Sequence, residues 1–119
     1  MINVTKPFLP PLDEILPSLE SIWRSGVLTN SGPFERKLEE ALQNYLGVEH
    51  LSLVNNGTTG LMLALKASSI VGEVITTPYS FAATSNVLSW CKLTPRFVDI
   101  SRENLNINPD EIESAVNEE

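Results

Sequence analysis

The run Val54-Asn55-Asn56-Gly57-Thr58-Thr59-Gly60 has the residue types of an anion site. An apolar stretch, Leu51 to Val54, leads into it, and an apolar helical run, Leu61 to Leu65, leads out. A strand, a turn of small residues and a helix start leave the first helical N–H groups without intrahelical acceptors. The helix dipole favours negative charge at the same place. Gly57 lets backbone approach a ligand closely, and the hydroxyls of Thr58 and Thr59 add donors. This chemistry is half of a phosphate cradle. Asn-Gly is also a common hairpin turn, so the plainer reading is punctuation. The segment lacks the lysine of a nucleotide-binding P-loop and the spacing of a dinucleotide fingerprint. By itself it does not say which phosphate.

In an open α/β sheet, ligands bind beyond the carboxyl ends of the strands. Two further segments are expected there: Pro78 to Phe81, and the residues after Asp99. Phe81 stands beside Ser80, Ala82 and Ala83, and a phosphate cradle next to an exposed aromatic suits a cofactor with a phosphate and a flat ring. Taken singly, each residue has a plainer role. Phe81 and Tyr79 fit a core, Asp99 a loop cap, and His50 a surface position. Cys91 fits a small buried hydrophobe. The charges at Glu35, Arg36, Lys37, Glu39 and Glu40 fit a solvated helix face.

The elements that must position these residues alternate. Leu12, Ile15, Leu16, Leu19, Ile22 and Trp23 share one helical face, after Pro10-Pro11 and before Gly26. Pro17 lies inside that helix and predicts a kink or a late start. Ser25 to Pro33 is a loop by composition. A second helix carries Phe34, Leu38, Ala41, Leu42 and Tyr45 on one face and ends at Gly47. Next come a strand over Leu51 to Val54, the turn, and a helix from about Thr58 to Ser68. A strand over Glu73 to Thr77, a helix over Ala82 to Trp90 and a strand over Pro95 to Ile100 follow. Asn108-Pro109 opens a last helix, with Ile112 and Val116 expected to face inward. Strands alternating with helices imply parallel pairing and right-handed crossovers. The expected class is α/β, three-layer, with a mostly parallel sheet. Three strands ending at Glu118-Glu119 look unfinished, because a parallel sheet is normally covered on both faces and protected at its edges.

Composition narrows the field. The chain has 119 residues, 42% apolar and 19% charged, which fits a folded domain. A net charge of -7 argues against nucleic acid or an anionic membrane as the main partner. One cysteine excludes an internal disulfide, and one histidine with one cysteine cannot make a zinc site. The first residues show no basic region followed by an apolar one, and no apolar run approaches the ~20 residues of a membrane span. A cytoplasmic protein is expected. The triplets Asn3-Val4-Thr5 and Asn56-Gly57-Thr58 are therefore read as coincidental rather than as glycosylation signals.

In order along the chain, these segments resemble the N-terminal part of the DegT/StrS-type nucleotide-sugar aminotransferases (the DegT/DnrJ/EryC/StrS family). The resemblance rests on residues 25–33, Asn56-Gly57-Thr58-Thr59-Gly60-Leu61, residues 72–84, Thr94-Pro95-Arg96-Phe97-Val98-Asp99-Ile100 and Leu105-Asn106-Ile107-Asn108-Pro109. It implies the large domain of the aspartate-aminotransferase-like fold (PLP fold type I), with residues 1–119 forming one partial domain. It implies pyridoxal 5'-phosphate as cofactor. Gly57 and Thr58 match the positions that hold its phosphate, and Phe81 the aromatic stacked on its pyridine ring. The loop Leu28, Thr29, Asn30, Ser31, Gly32 matches a segment lining the active site, where substrate and a neighbouring subunit approach. The implied reaction moves an amino group from an amino acid, usually glutamate, to a keto sugar on a nucleoside diphosphate, in a homodimer.

Two small departures from the family pattern are visible: a short link between Ser68 and Gly72, and Lys92 where a helix-ending glycine is frequent. A larger one concerns catalysis. The four lysines, Lys6, Lys37, Lys66 and Lys92, do not match the family's Schiff-base lysine, and Asp99 does not match its pyridine-facing acid. The expectation is therefore an N-terminal fragment without a catalytic residue, inactive alone. The competing expectations are a non-catalytic phosphate-binding or assembly module, and a fragment of a related PLP-dependent sugar dehydratase.

Overall fold

The computed structural model describes residues 4–117, so Asn3 of the first triplet and the Glu118-Glu119 end lie outside the described residues. The elements run α1 (Leu12–Ser25), α2 (Pro33–Leu46), α3 (Gly57–Ala67), β1 (Glu73–Thr76), α4 (Ala82–Trp90), β2 (Thr94–Phe97) and α5 (Pro109–Ala115). They fall into two compact units, Met1–Leu53 and Val54–Glu119.

The first unit holds α1 and α2. Pro17 sits within α1 as a continuous helix. Each helix stops at a glycine with positive φ: Gly26 at 64°, donating to the Ile22 carbonyl, and Gly47 at 67°, donating to the Gln43 carbonyl. Left-handed backbone is nearly free for glycine and costly for other residues, so both stops follow from sequence. The apolar faces of these helices stay largely open. Leu16 is 47% exposed, Trp23 84%, Leu38 52% and Tyr45 85%. A helical stripe is a demand for a partner, not proof that one is present.

The second unit carries the sheet and the core. β1 and β2 pair in parallel, Glu73 opposite Thr94 through Thr76 opposite Phe97. α4 packs against both α3 and β2. The buried apolar side chains are Val87 and Leu88 of α4, with Leu93 and Val98 flanking β2. Thus the core lies where the strand–helix–strand crossover folds back on itself, as the alternation of elements predicts.

Three expectations need correction. Leu51 to Val54 is not a strand, because no backbone ladder partner for it exists among the described residues. The last strand is Thr94–Phe97, not Pro95 to Ile100. The ladder ends where the Val98 N–H reaches the Thr76 carbonyl, since β1 has finished there. Beyond it, Ile100 pairs with Ile107 in one antiparallel bridge. Val116 does not face inward: it is the C-cap of α5 and 65% exposed. Ile112 is half-buried, as expected. No helix among the described residues is long and apolar enough to cross a membrane.

Two local features position the end of this unit. Glu73 accepts from the Asn117 amide at 2.8 Å and from Arg96 at 2.9 Å, fastening residues 98–117 to the sheet. The Asn117 bond, then the Arg96 bond, holds the Glu73 carboxyl below the usual glutamate range. Asp99 caps its own loop: its carboxylate accepts from the Ile100 N–H at 2.8 Å, and its carbonyl accepts from the Asn108 N–H.

Candidate functional site

α3 begins at Gly57, and Asn56 is its N-cap with extended backbone. The Asn56 Oδ1 accepts from the Thr59 N–H at 2.9 Å. Its backbone carbonyl accepts from the Gly60 N–H at 3.2 Å. That leaves the Gly57 and Thr58 N–H groups without an acceptor among the described residues. Both lie at the positive end of the helix dipole. A Cβ built on Gly57 would meet no atom within 4 Å, so the space over the helix start is open. At Gly60 a Cβ would lie 3.3 Å from Val54 Cγ2, which shows how closely the helix lies on the preceding segment. Among the described residues, two N–H donors without acceptors thus stand at the start of α3, beside the Thr58 hydroxyl and open space at Gly57.

Sequence reasoning missed the Asn56 cap, although asparagine before a helical run is a recognisable signal. The cap also changes one detail. Thr59 offers its N–H to Asn56, so the two donors left for an anion are those of Gly57 and Thr58.

Phe81 is the N-cap residue of α4 and is 83% exposed. The core role is therefore wrong for Phe81, and equally for Tyr79, 62% exposed. The loop that presents the ring is braced from below. Thr84 N–H donates to the Phe81 carbonyl at 2.9 Å, the Ser80 and Thr84 hydroxyls lie 2.9 Å apart, and the Tyr79 N–H donates to Thr77 Oγ1. A cleft of about 160 Å³ is lined by Leu61 and Leu65 of α3, Val74 to Thr76 of β1, and Thr84, Val87 and Leu88 of α4. The cleft thus lies between α3, α4 and β1. Gly57, Thr58 and Phe81 all belong to this second unit.

Leu28, Thr29, Asn30, Ser31 and Gly32 belong to the first unit. Ser31 takes a left-handed φ of 62°, and its N–H donates to the Glu35 carboxylate. Gly32 is the N-cap of α2. Leu28, Thr29 and Gly32 line a cleft of about 270 Å³ with Ser21, Ser25 and Phe34.

The plain readings hold for His50 and Asp99 and only in part for Cys91. His50 is exposed, Asp99 is a loop cap, and Cys91 is half-buried rather than fully buried. No cluster of metal ligands occurs among the described residues. Lys66 lies in the last turn of α3 and Lys92 just after α4, where its φ is 62°.

Residues 12–119 match the profile of the DegT/DnrJ/EryC1/StrS aminotransferase family. The chain belongs to this family. Among its relatives, a dTDP-4-amino-4,6-dideoxy-D-glucose transaminase of Escherichia coli is 55% identical over 97% of the chain. The chain spans 31% of that relative's length. Crystal structures of relatives match in fold. NtdA from Bacillus subtilis, with bound cofactor PMP, gives a TM-score of 0.84 at 32% identity, over 99% of this chain and 29% of its own. DesI, in the presence of its TDP-sugar product, gives 0.81 at 37% identity, over 89% and 27%. This DegT-family chain is thus α/β with a parallel sheet, of the class adopted by PLP-dependent aminotransferases.

Proposed function

We propose that this DegT-family chain is part of a pyridoxal-phosphate-dependent aminotransferase acting on a nucleoside-diphosphate-linked keto sugar. One observation carries the reading: among the described residues the Gly57 and Thr58 N–H groups have no acceptor at a helix start with open space at Gly57, in the unit that also exposes Phe81. Such a start fits a phosphate dianion, and an exposed ring fits a flat heterocycle. Gly57 and Thr58 would hold the phosphate through N–H donors, with the Thr58 hydroxyl as a third. Phe81 would cover one ring face and keep water from it. When bound, the cofactor supplies an electron sink for proton transfer at the amino carbon. The lysine and the acid such chemistry needs are not matched by any residue of this chain, so catalysis belongs to a larger protein.

The 55% identical transaminase supports a dTDP-linked sugar as substrate. Glutamate as donor, a homodimer with shared sites and a cytoplasmic location complete the reading. In it, both compact units are parts of one large domain, and Leu28 to Gly32 approach the substrate. The test is to read the gene beyond codon 119, express the whole product and assay it with PLP, glutamate and a dTDP-linked 4-keto sugar. An aminated sugar supports the proposal. A dehydrated sugar without amino transfer assigns the dehydratase instead. A stop codon at that point assigns a non-catalytic binding module.

A further inference from the structure

We propose that the Asn56–Gly57 peptide is a deamidation site, and that reaction there disables the anion cradle of α3. The second half of this statement rests on the function proposed above. Asn56 is the one asparagine of the chain that precedes a glycine. Other asparagines precede residues whose side chains crowd the following nitrogen, and Asn108 precedes Pro109, which has no N–H.

The structure adds three features. The Gly57 N–H, which must become the nucleophile, has no acceptor among the described residues, and open space surrounds Gly57. The Thr59 N–H holds Asn56 Oδ1 at 2.9 Å, so opening of the first turn gates the reaction. The Asn56 Nδ2 makes no hydrogen bond among the described residues, so nothing retains the leaving group.

In the reaction the Gly57 nitrogen bonds to Asn56 Cγ and the Cγ–Nδ2 bond breaks. Ammonia departs, its third hydrogen being the former Gly57 amide proton. Water then opens the resulting succinimide at either carbonyl, giving aspartate or isoaspartate, whose carboxyl ionises. No electrons are gained or lost. Asn56 stands at ψ 164°, and attack needs rotation about that bond. The N-cap bond to Thr59 resists the rotation, so reaction follows fraying of the first turn. An anion on the Gly57 and Thr58 N–H groups holds the turn and occupies the nucleophile. After reaction, a carboxylate at the N-cap satisfies the helix start and repels phosphate. Isoaspartate also lengthens the backbone by one carbon and displaces both donors.

The test incubates the whole 119-residue chain at mildly alkaline pH and maps its peptides by mass spectrometry. One arm contains pyridoxamine phosphate, which has no aldehyde to attach to lysines. The expected result is exchange of NH for O at Asn56, at least several-fold faster than at any other asparagine, suppressed in Gly57→Ala and slowed by the ligand. Asn56→Ser keeps the cap without the amide and should bind pyridoxamine phosphate like the parent. Asn56→Asp should bind about tenfold more weakly, equivalent to ~1.4 kcal/mol. An unreacted Asn56 beside other converted asparagines, or equal rates in Gly57→Ala, overturns the site. Conversion at Asn56 that the ligand does not slow preserves the site and overturns its link to the cradle.

Discussion

Lys92 is one of the non-glycine residues on left-handed backbone. It follows the C-cap of α4 with φ 62°, its N–H donates to the Ser89 carbonyl, and the Leu93 N–H donates to the Leu88 carbonyl. This is a Schellman stop, whose left-handed position favours glycine. A side chain there costs about 1–2 kcal/mol. Lys92→Gly is therefore expected to raise stability by about 1 kcal/mol, read as a higher urea midpoint with an unchanged slope. Glu73 gives a second prediction. Its carboxyl is depressed by Asn117 and Arg96, so its contribution is present above the unfolded glutamate value of about 4.3 and is lost as pH falls through the lower folded value. Acid titration followed by far-UV circular dichroism should show this loss, and Glu73→Gln should flatten that limb. Single residues were unevenly legible in the sequence. The start of α3 near Gly57 could be read from small residues before an apolar run. The exposure of Phe81 could not, because an aromatic in a loop is ambiguous until its neighbours are placed.

α4 is the element that holds the second unit together. Its N-cap residue Phe81 is exposed, while Val87 and Leu88 lie in the core. Leu88→Ala should cost about 2–5 kcal/mol through lost burial and the cavity left behind. The expected readout is loss of cooperative unfolding, with exposed apolar surface detected by dye binding. The helices were legible to within a residue or two because their stripes, prolines and glycines are local signals. The strand over Leu51 to Val54 was not, because a strand is defined by its partner and none lies among the described residues. The same reason leaves the apolar faces of α1 and α2 open: periodicity states which face must be covered, not what covers it.

Taken as a molecule, the chain carries a net charge of -7 and yet is proposed to bind a phosphate. Long-range repulsion is screened within about 8–10 Å at ordinary ionic strength, whereas two aimed N–H donors act at contact distance. In the proposed site, local geometry is therefore expected to outweigh net charge at the start of α3. Membership of the aminotransferase family fits that balance, and the chain spans 31% of the Escherichia coli relative's length. The central claim is that Gly57, Thr58 and Phe81 form the cofactor's phosphate and ring site. Its most direct test is an amide-resolved NMR titration of the chain with pyridoxamine phosphate, with inorganic phosphate as the comparison. The account predicts the largest amide shifts at Gly57 and Thr58 with both ligands, and ring-current shifts around Phe81 with pyridoxamine phosphate alone. Shifts concentrated elsewhere, with the Gly57 and Thr58 amides unmoved at saturation, would contradict it.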